Sequence, residues 1–198
     1  MANDTLVIRQ GKTFNSVLRW GAAPYKYSAI QAITQAAPAV ITSALHGVPN
    51  GWPVAIVSVK GMEEINSENS PPKAKDYKKA TIRDTNTIEL NDVNSSGFSS
   101  YKSSGYVQYL TPVDLTGFTA RMSIKDRLGG TVLATLTTEN FGITLDNTAK
   151  TITLNITAIA TALYTWKVGV SELELVSASG IVTSLFLKNV SVIPEVAT

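Results

Sequence analysis

The chain has 198 residues, of which 44% are hydrophobic and 16% are charged, and its formal net charge is +2. This composition is typical of a folded globular protein, and so small a net charge argues against a surface that binds nucleic acid over its whole extent. Cysteine is absent and His46 is the single histidine. Disulfides and thiolate-based metal or catalytic sites are therefore excluded.

The N-terminal stretch MANDTLVIRQ carries an acidic residue where a signal peptide would be basic, and no apolar segment follows it. We therefore expect no secretory signal. No apolar run approaches the roughly 20 residues that a membrane-spanning helix needs. The sequence thus predicts a soluble or assembled protein rather than an integral membrane protein.

The first part of the chain predicts two strands, at Leu6–Arg9 and at 14–20, on either side of a Gln-Gly-Lys turn. Neither strand has a predicted pairing partner nearby, because the sequence pattern changes between residues 24 and 110 to one of many turns and short strands. We interpret this stretch as an inserted domain. Tyrosines mark its two ends, namely Tyr25, Tyr27, Tyr106 and Tyr109.

Within the insertion, an alanine-rich helix is one alternative for residues 30–43. Pro38 would break such a helix, and the Val and Ile content favours a hairpin of 30–34 with 39–43. The other predicted elements are a turn at His46, a strand at 52–59, an irregular loop at 66–76 containing Pro71-Pro72, a hairpin of 80–83 with 87–90, a Ser/Gly/Tyr loop at 97–105 and an exit strand at 106–109.

After the insertion comes the clearest strand of the chain, which follows Pro112 and an Asp-Leu-Thr-Gly turn. Phe118, Ala120, Met122 and Ile124 alternate with polar residues, which predicts one buried and one exposed face. The elements predicted beyond it are strands at 132–137, 142–145 and 151–155, a short helical turn at 157–163 with Thr157 as N-cap, an alternating strand through Tyr164, Trp166, Val168 and Val170 that continues to Val176, and a strand at 181–187.

The strand VDLTGFTARM, its following hairpin DRLGGTV, and the order GITLD, TITLNI, a helical TALYTWKV link and a final VSVIPEV strand resemble the N-terminal domain of phage baseplate upper proteins and related prophage tail proteins. Segments 1–23 and 111–198 together give this domain nearly whole. The resemblance implies an immunoglobulin-like β-sandwich that docks onto a virion.

The insertion carries a second resemblance. Its features HG-x3-G, GMEEIN, NTIEL and GFSSYKSSG are similar to the small β-barrel related to the first catalytic-cysteine half-domain of ubiquitin-activating enzymes, which recurs as an insert in phage virion proteins. The likeness covers residues 27–109, with a longer loop at 67–79, and implies no conjugation chemistry. The expected fold is therefore all-β, a sandwich of 1–23 and 111–198 with a small β-barrel, 24–110, inserted after the first two strands.

No catalytic, metal or cofactor site is predicted. His46 precedes a glycine in a turn, where a structural role fits better than a catalytic triad. Asp84, Asp92, Asp114 and the Glu63-Glu64 pair lack the spacing of metal ligands.

Basic and aromatic residues of the insertion are candidates for an interface. Lys73, Lys75, Lys78 and Lys79 surround Tyr77, and such a run touches phosphate in some proteins but is more often only solvated. Tyrosine-rich segments bind sugar in one interpretation and pack in interfaces in the other. The candidate interface residues are Tyr77, Lys78, Lys79, Phe98, Tyr101 and Tyr106.

These expectations combine into a phage virion structural protein, a non-catalytic adaptor of the tail, baseplate or neck that is present in many copies. Its partners would be other phage structural proteins, rather than nucleic acid or membrane, after assembly in the bacterial host cytoplasm. One alternative is a capsid decoration or head-fibre protein. A second is a carbohydrate-binding module, provided that the exposed tyrosines and Trp52 line up on one face.

Overall fold

The computed structural model describes residues 5–195. Residues 1–4 and 196–198 lie outside the described residues, and with them the start of MANDTLVIRQ and the end of the expected VSVIPEV strand. The described elements, in chain order, are β1 Leu6–Arg9, β2 Phe14–Leu18, β3 Gly21–Ala29, β4 Ala32–Ile33, β5 Ala39–Thr42, β6 Pro53–Val57, β7 Lys78–Asp84, β8 Thr87–Leu90, β9 Tyr106–Pro112, β10 Thr119–Lys125, β11 Val132–Thr137, β12 Ile143–Asp146, β13 Thr151–Ile156, α1 Ala158–Ala162, β14 Val168–Val176 and β15 Val182–Ile193, with 3-10 turns at Glu63–Ile65 and Ala74–Asp76.

The protein is all-β, as the sequence predicts, and it divides into two compact units. One unit combines the chain up to Trp20 with the chain from Asp114 onwards, and we call it the split unit. The other, Gly21–Val113, is the inserted unit. It extends slightly beyond the expected 24–110 at both ends because β3 and β9 pair from Gly21 opposite Pro112.

The split unit contains two sheets. The five-stranded sheet has the order β1-β15-β14-β10-β11, and the three-stranded sheet has the order β12-β13-β2. Alternation predicts the buried faces of β10 and β13 correctly, since Ala120, Met122 and Ile124 of β10 are buried, as are Ile152 and Leu154 of β13. Phe118, which was expected on the same face, precedes β10 and is only half-buried. Strand β10 contacts β12, and β11 contacts β13, so the two buried faces share one core. The immunoglobulin-like class of this sandwich stays a prediction.

The last two strands differ from the sequence prediction. The alternating residues from Tyr164 do not continue one buried face, because β14 begins only at Val168 and that residue is exposed. The buried positions of β14 have the opposite parity and include Leu173, which lies opposite Met122 of the buried face of β10. Two expected strands, 181–187 and VSVIPEV, form the single strand β15.

The inserted unit is one seven-stranded sheet with the order β3-β9-β6-β7-β8-β5-β4. The predicted hairpins are present as the β4–β5 and β7–β8 pairs. The two edge strands, β3 and β4, are separated in the chain only by Ile30 and Gln31, so the sheet curls round into an open barrel. Its core includes the fully buried side chains of Trp52, Ile41 and Ile88.

Candidate binding cleft and exposed apolar surface

Two paired strands of the inserted unit carry a group of exposed tyrosines. Tyr25 and Tyr27 lie two residues apart on β3, so their side chains leave the same face of the sheet. On β9, Tyr106 is opposite Ala29 and Gln108 is opposite Tyr27. Tyr25, Tyr27 and Tyr106 are 41%, 57% and 44% exposed, and the Tyr27 and Tyr106 rings meet edge to face with centroids 6.2 Å apart. We call these three residues the tyrosine platform.

A loop, residues 66–72, is held on the same unit by hydrogen bonds to neighbouring backbone. Asn66 accepts a hydrogen bond from the Val59 amide at 2.9 Å and donates one to the Val59 carbonyl at 3.0 Å. The Ser67 amide donates to the carbonyl of Ile56, a residue of β6, at 2.7 Å. The start of the loop is therefore fixed to the sheet before any ligand binds.

Asp76 fixes the far end of the loop. Its carboxylate accepts hydrogen bonds from Asn69 Nδ2 at 3.2 and 2.9 Å and from the Lys73 amide at 2.7 Å. The Lys73 amide, together with the Asn69 side chain, holds the pKa of Asp76 below its ordinary value. Asp76 therefore stays ionised and keeps Asn69 in place.

Between the tyrosine platform and the loop lies a cleft of about 560 Å³. Its described lining contains no charged side chain: two tyrosines and the apolar residues Val57, Pro71 and Pro72 are joined by amides and hydroxyls. The Ser67 hydroxyl oxygen is buried and has no hydrogen-bond partner in the part of the chain that the structure describes. The polar side chains of the lining are Ser58, Asn66, Ser67, Asn69, Ser70 and Gln108.

Tyr77 connects the loop to the tyrosine platform. Its hydroxyl accepts a hydrogen bond from Gln108 Nε2 at 3.4 Å. Burial, followed by a hydrogen bond with Tyr25, raises the pKa of Tyr77 to about 12. Tyr77 is consequently a neutral phenol at physiological pH, and it adds no charge beside the cleft.

The other expected interface residues lie in different environments. Lys78 and Phe98 line a second cleft, of about 420 Å³. Lys79 is exposed. Neighbouring side chains of a strand point to opposite faces, so the Lys79 side chain lies on the face of β7 away from Lys78. Tyr101 is half-buried, and its hydroxyl donates to the carbonyls of Ile30 at 2.9 Å and Ser104 at 3.0 Å. Of the six residues, only Tyr77 and Tyr106 lie beside Tyr25 and Tyr27.

The second cleft differs from the first because it is rich in charge. Three of its carboxylates have partners: Glu64 accepts from the Ser99 amide and hydroxyl at 2.9 Å, Glu68 forms an ion pair with Lys75, and Asp76 holds Asn69. Among residues 5–195, no group of three or more His, Asp or Glu side chains is placed to hold a metal ion. These three carboxylates therefore stabilise the loops of the cleft itself.

His46 and Trp52 both have structural roles. His46 is buried; its Nδ1 accepts from the Val48 amide at 3.0 Å, and its Nε2 lies 3.0 Å from the Asp84 carbonyl. Trp52 does not join the exposed tyrosines, because its ring is buried in the core and its indole nitrogen donates to the Leu110 carbonyl at 3.1 Å. The alignment of Trp52 with the tyrosines, which was the condition for the carbohydrate-binding alternative, is therefore not met, and only the tyrosines remain as exposed rings on this face.

The split unit carries most of the exposed apolar surface. Of the 16 large hydrophobic side chains that are exposed in the described chain, 12 belong to this unit. Phe141, Ile159 and Leu163 are the most exposed of these, at 84%, 81% and 76%. Phe141 lines an open cleft of about 350 Å³ together with residues of α1 and β13, and no described side chain in its lining is charged. We call these three residues the helix patch.

Neither the helix patch nor the cleft beside the tyrosine platform is predicted from the sequence. Tyr25 and Tyr27 stand at one end of the insertion and Tyr106 at the other, and this symmetry is a signal that the two ends pair. Nothing local indicates that the loop 66–72 faces them. Phe141 follows a Thr-Thr-Glu-Asn turn, where an aromatic residue gives no periodic signal.

Comparison with known proteins gives no assignment. No protein-family model matches the chain, and no curated protein matches it. In the part of the chain that the structure describes, no helix is long and apolar enough to cross a membrane.

Proposed function

We propose that the protein is a non-catalytic structural protein of a phage virion, an adaptor in the tail, baseplate or neck that assembles by protein–protein contacts. The proposal joins the resemblance of segments 1–23 and 111–198 to a virion docking domain with one structural observation. That observation is the concentration of exposed apolar side chains on the split unit. Phe141 and helix α1, which carries Ile159, line one cleft of this unit, and apolar surface gathered in one place marks interaction sites.

The helix patch is the best-defined docking surface of the split unit. Burying one large apolar side chain stabilises a complex by roughly 1.5–3 kcal/mol, and three such residues are available. The described lining of the neighbouring cleft contains no charged side chain, so a partner covers it without the large desolvation penalty of a buried charge. Its occupant, in this proposal, is an apolar surface of a neighbouring virion protein.

The backbone at Phe141 adds to this argument. Its φ is +60°, a left-handed conformation that is uncommon for a residue other than glycine and especially for a bulky one. The Asn140 side chain accepts hydrogen bonds from the Thr137 amide at 2.8 Å and the Gly142 amide at 2.9 Å, which holds the turn in this shape. A strained turn that projects an apolar ring into solvent is typical of a functional contact.

The experiment begins with particles purified from a strain that makes the phage encoding this chain. Cryo-electron microscopy and quantitative mass spectrometry should find the chain in many copies per particle. Absence of the chain from intact particles contradicts the proposal.

The second arm measures incorporation of variants into those particles. Phe141→Ser combined with Ile159→Ser should reduce the number of copies per particle at least tenfold, because losing about 1.4 kcal/mol of contact energy weakens binding tenfold. Leu45→Ser is the matched control, since Leu45 is 82% exposed but lies in the inserted unit. Equal incorporation of both variants would show that the helix patch is not the docking surface.

A further inference from the structure

We infer that the cleft between the tyrosine platform and the loop 66–72 binds an uncharged glycan, a segment of two or three sugar rings. This site is separate from the docking surface of the split unit, and the inference does not require that the protein belong to a virion. Three features carry it: the exposed rings, the uncharged hydrogen-bonding lining and the unpaired Ser67 hydroxyl.

The cleft has the size and shape of a small-ligand site. Its volume of about 560 Å³ lies within the roughly 300–1,000 Å³ that such sites occupy. Its walls are fixed in advance by the Asn66 hydrogen bonds to Val59 and by Asp76, which holds Asn69. A ligand therefore meets a formed site, and little conformational entropy is lost on binding.

The tyrosine platform supplies the apolar contact. A pyranose ring has one face of C–H groups, which packs on an aromatic ring while the sugar hydroxyls point away to polar partners. Tyr27 is supported by the edge-to-face contact with Tyr106 and is more than half exposed. Tyr25 lies beside Tyr77, whose pKa it helps to raise. Two exposed rings, two residues apart on β3, therefore suit a glycan longer than one sugar.

The polar lining matches the hydroxyls of a neutral sugar. Asn69, Ser70 and Gln108 offer uncharged donors and acceptors, and the described lining contains neither a carboxylate nor an ammonium group. A phosphate or a uronic acid would enter without a counter-charge, which argues against acidic ligands. The Ser67 hydroxyl has no partner among the described residues, and a turn of this side chain about χ1 towards the cleft brings it to a sugar hydroxyl, a partner of matching chemistry.

An extended proline-rich peptide is the other ligand that tyrosine-lined grooves accept. Such a segment presents carbonyl oxygens but no N–H group at its prolines. It can therefore bond only to hydrogen-bond donors of the protein. The cleft instead offers hydroxyls, which both donate and accept, alongside amides. This mixture favours a polyhydroxylated ligand.

The test uses the full chain and saturation-transfer NMR with maltotriose, cellotriose, chitotriose and a mannotriose, after a screen on an array of neutral and acidic glycans. A peptide of ten prolines serves as the competing ligand. We expect at least one neutral trisaccharide to bind and the peptide and acidic glycans to fail. Isothermal titration then gives the affinity for the variants.

Tyr27→Ala should weaken that affinity about tenfold, whereas Tyr27→Phe, which keeps the ring, should bind within about twofold of the native chain. Ser67→Ala separates binding from folding. It removes a hydroxyl that has no partner among the described residues, so binding should weaken while the melting temperature stays the same or rises. Leu128→Ala is the control, because it removes an exposed apolar side chain from the other unit.

Three results would overturn the inference. One is the failure of every neutral glycan to bind. Another is an equal loss of affinity in Tyr27→Ala and Leu128→Ala. The third is binding of the proline peptide in the cleft in place of sugar. None of these results bears on whether the chain is present in a phage particle, so the two proposals stand or fall separately.

Discussion

A matched pair of core substitutions tests whether the two units unfold independently. Ile41 of β5 and Ile152 of β13 are both 0% exposed, but they belong to different units with separate cores. Ile41 packs in the inserted unit opposite Ile33 and Ile88. Ile152 pairs with Leu145 and Leu18 in the split unit.

Ile41→Val and Ile152→Val each delete one buried methyl group. The expected cost is about 1 kcal/mol, within the roughly 0.5–1.5 kcal/mol typical of this change. For a domain of at most about 100 residues, that cost lowers the melting temperature by roughly 4–8 °C. Each variant should lower only the transition of its own unit, and the double variant should show the sum of the two effects.

Differential scanning calorimetry measures the two transitions, and hydrogen exchange of amides in β8 and β13 assigns each transition to a unit. Amides of β8 should lose protection in Ile41→Val alone, and amides of β13 in Ile152→Val alone. If either substitution lowers protection in both units to the same extent, the chain unfolds as one cooperative body and the reasoning is refuted.

Three further predictions concern local features. Gly61→Ala should cost more than about 1 kcal/mol, because Gly61 has a φ of +93° and a Cβ there would lie 2.5 Å from the Ser100 carbonyl oxygen; Gly97→Ala, where nothing lies within 4 Å, should be nearly neutral in the same denaturant titration. Thr157→Ala should lose about 1 kcal/mol with the hydrogen bond that Thr157 Oγ1 accepts from the Ala160 amide, and Thr157→Ser should retain most of that stability. An ultraviolet titration should show one phenol with a pKa of about 12 that Tyr77→Phe removes. Because this pKa is raised on folding, its stabilisation is complete below about pH 10 and is lost as the pH rises through about 12; equal alkaline stability of Tyr77→Phe and the native chain would contradict this.

Strands with one buried face could be predicted from the sequence, because burial on one side imposes a period of two. Strand β10 is the clearest case: Ala120, Met122 and Ile124 are buried as predicted. Strand β14 shows the limit of the rule. Each of its two faces carries hydrophobic residues, Val168 and Val170 on one and Leu173 and Leu175 on the other. The start of the strand favours the face with Val168, which is exposed. Only pairing with β10 decides which set faces the core.

The sequence does not predict strand β3, for a related reason. It begins Gly-Ala-Ala-Pro, a run with low strand propensity, and it has hardly any buried side chain to produce a pattern. Its pairing with β9 creates the strand, and that partner lies far along the chain. The cleft could not be predicted for the same reason, since the tyrosines and the loop that face each other come from three separate parts of the sequence.

The place of the insertion follows from how the two sheets of the split unit are connected. Strand β2 ends in the three-stranded sheet and β10 begins in the five-stranded sheet, so the chain must pass from one sheet to the other at this point whatever lies between. The inserted unit begins and ends with antiparallel partners, Gly21 opposite Pro112, which in such ladders lie about 4.5–5.5 Å apart. Once folded, the inserted unit therefore holds the two ends of the β2–β10 connection as close together as a short turn would. The entropy cost of closing a long flexible loop does not arise. No strand pair of either sheet is interrupted, which is the structural reason to expect each core to respond to its own substitutions.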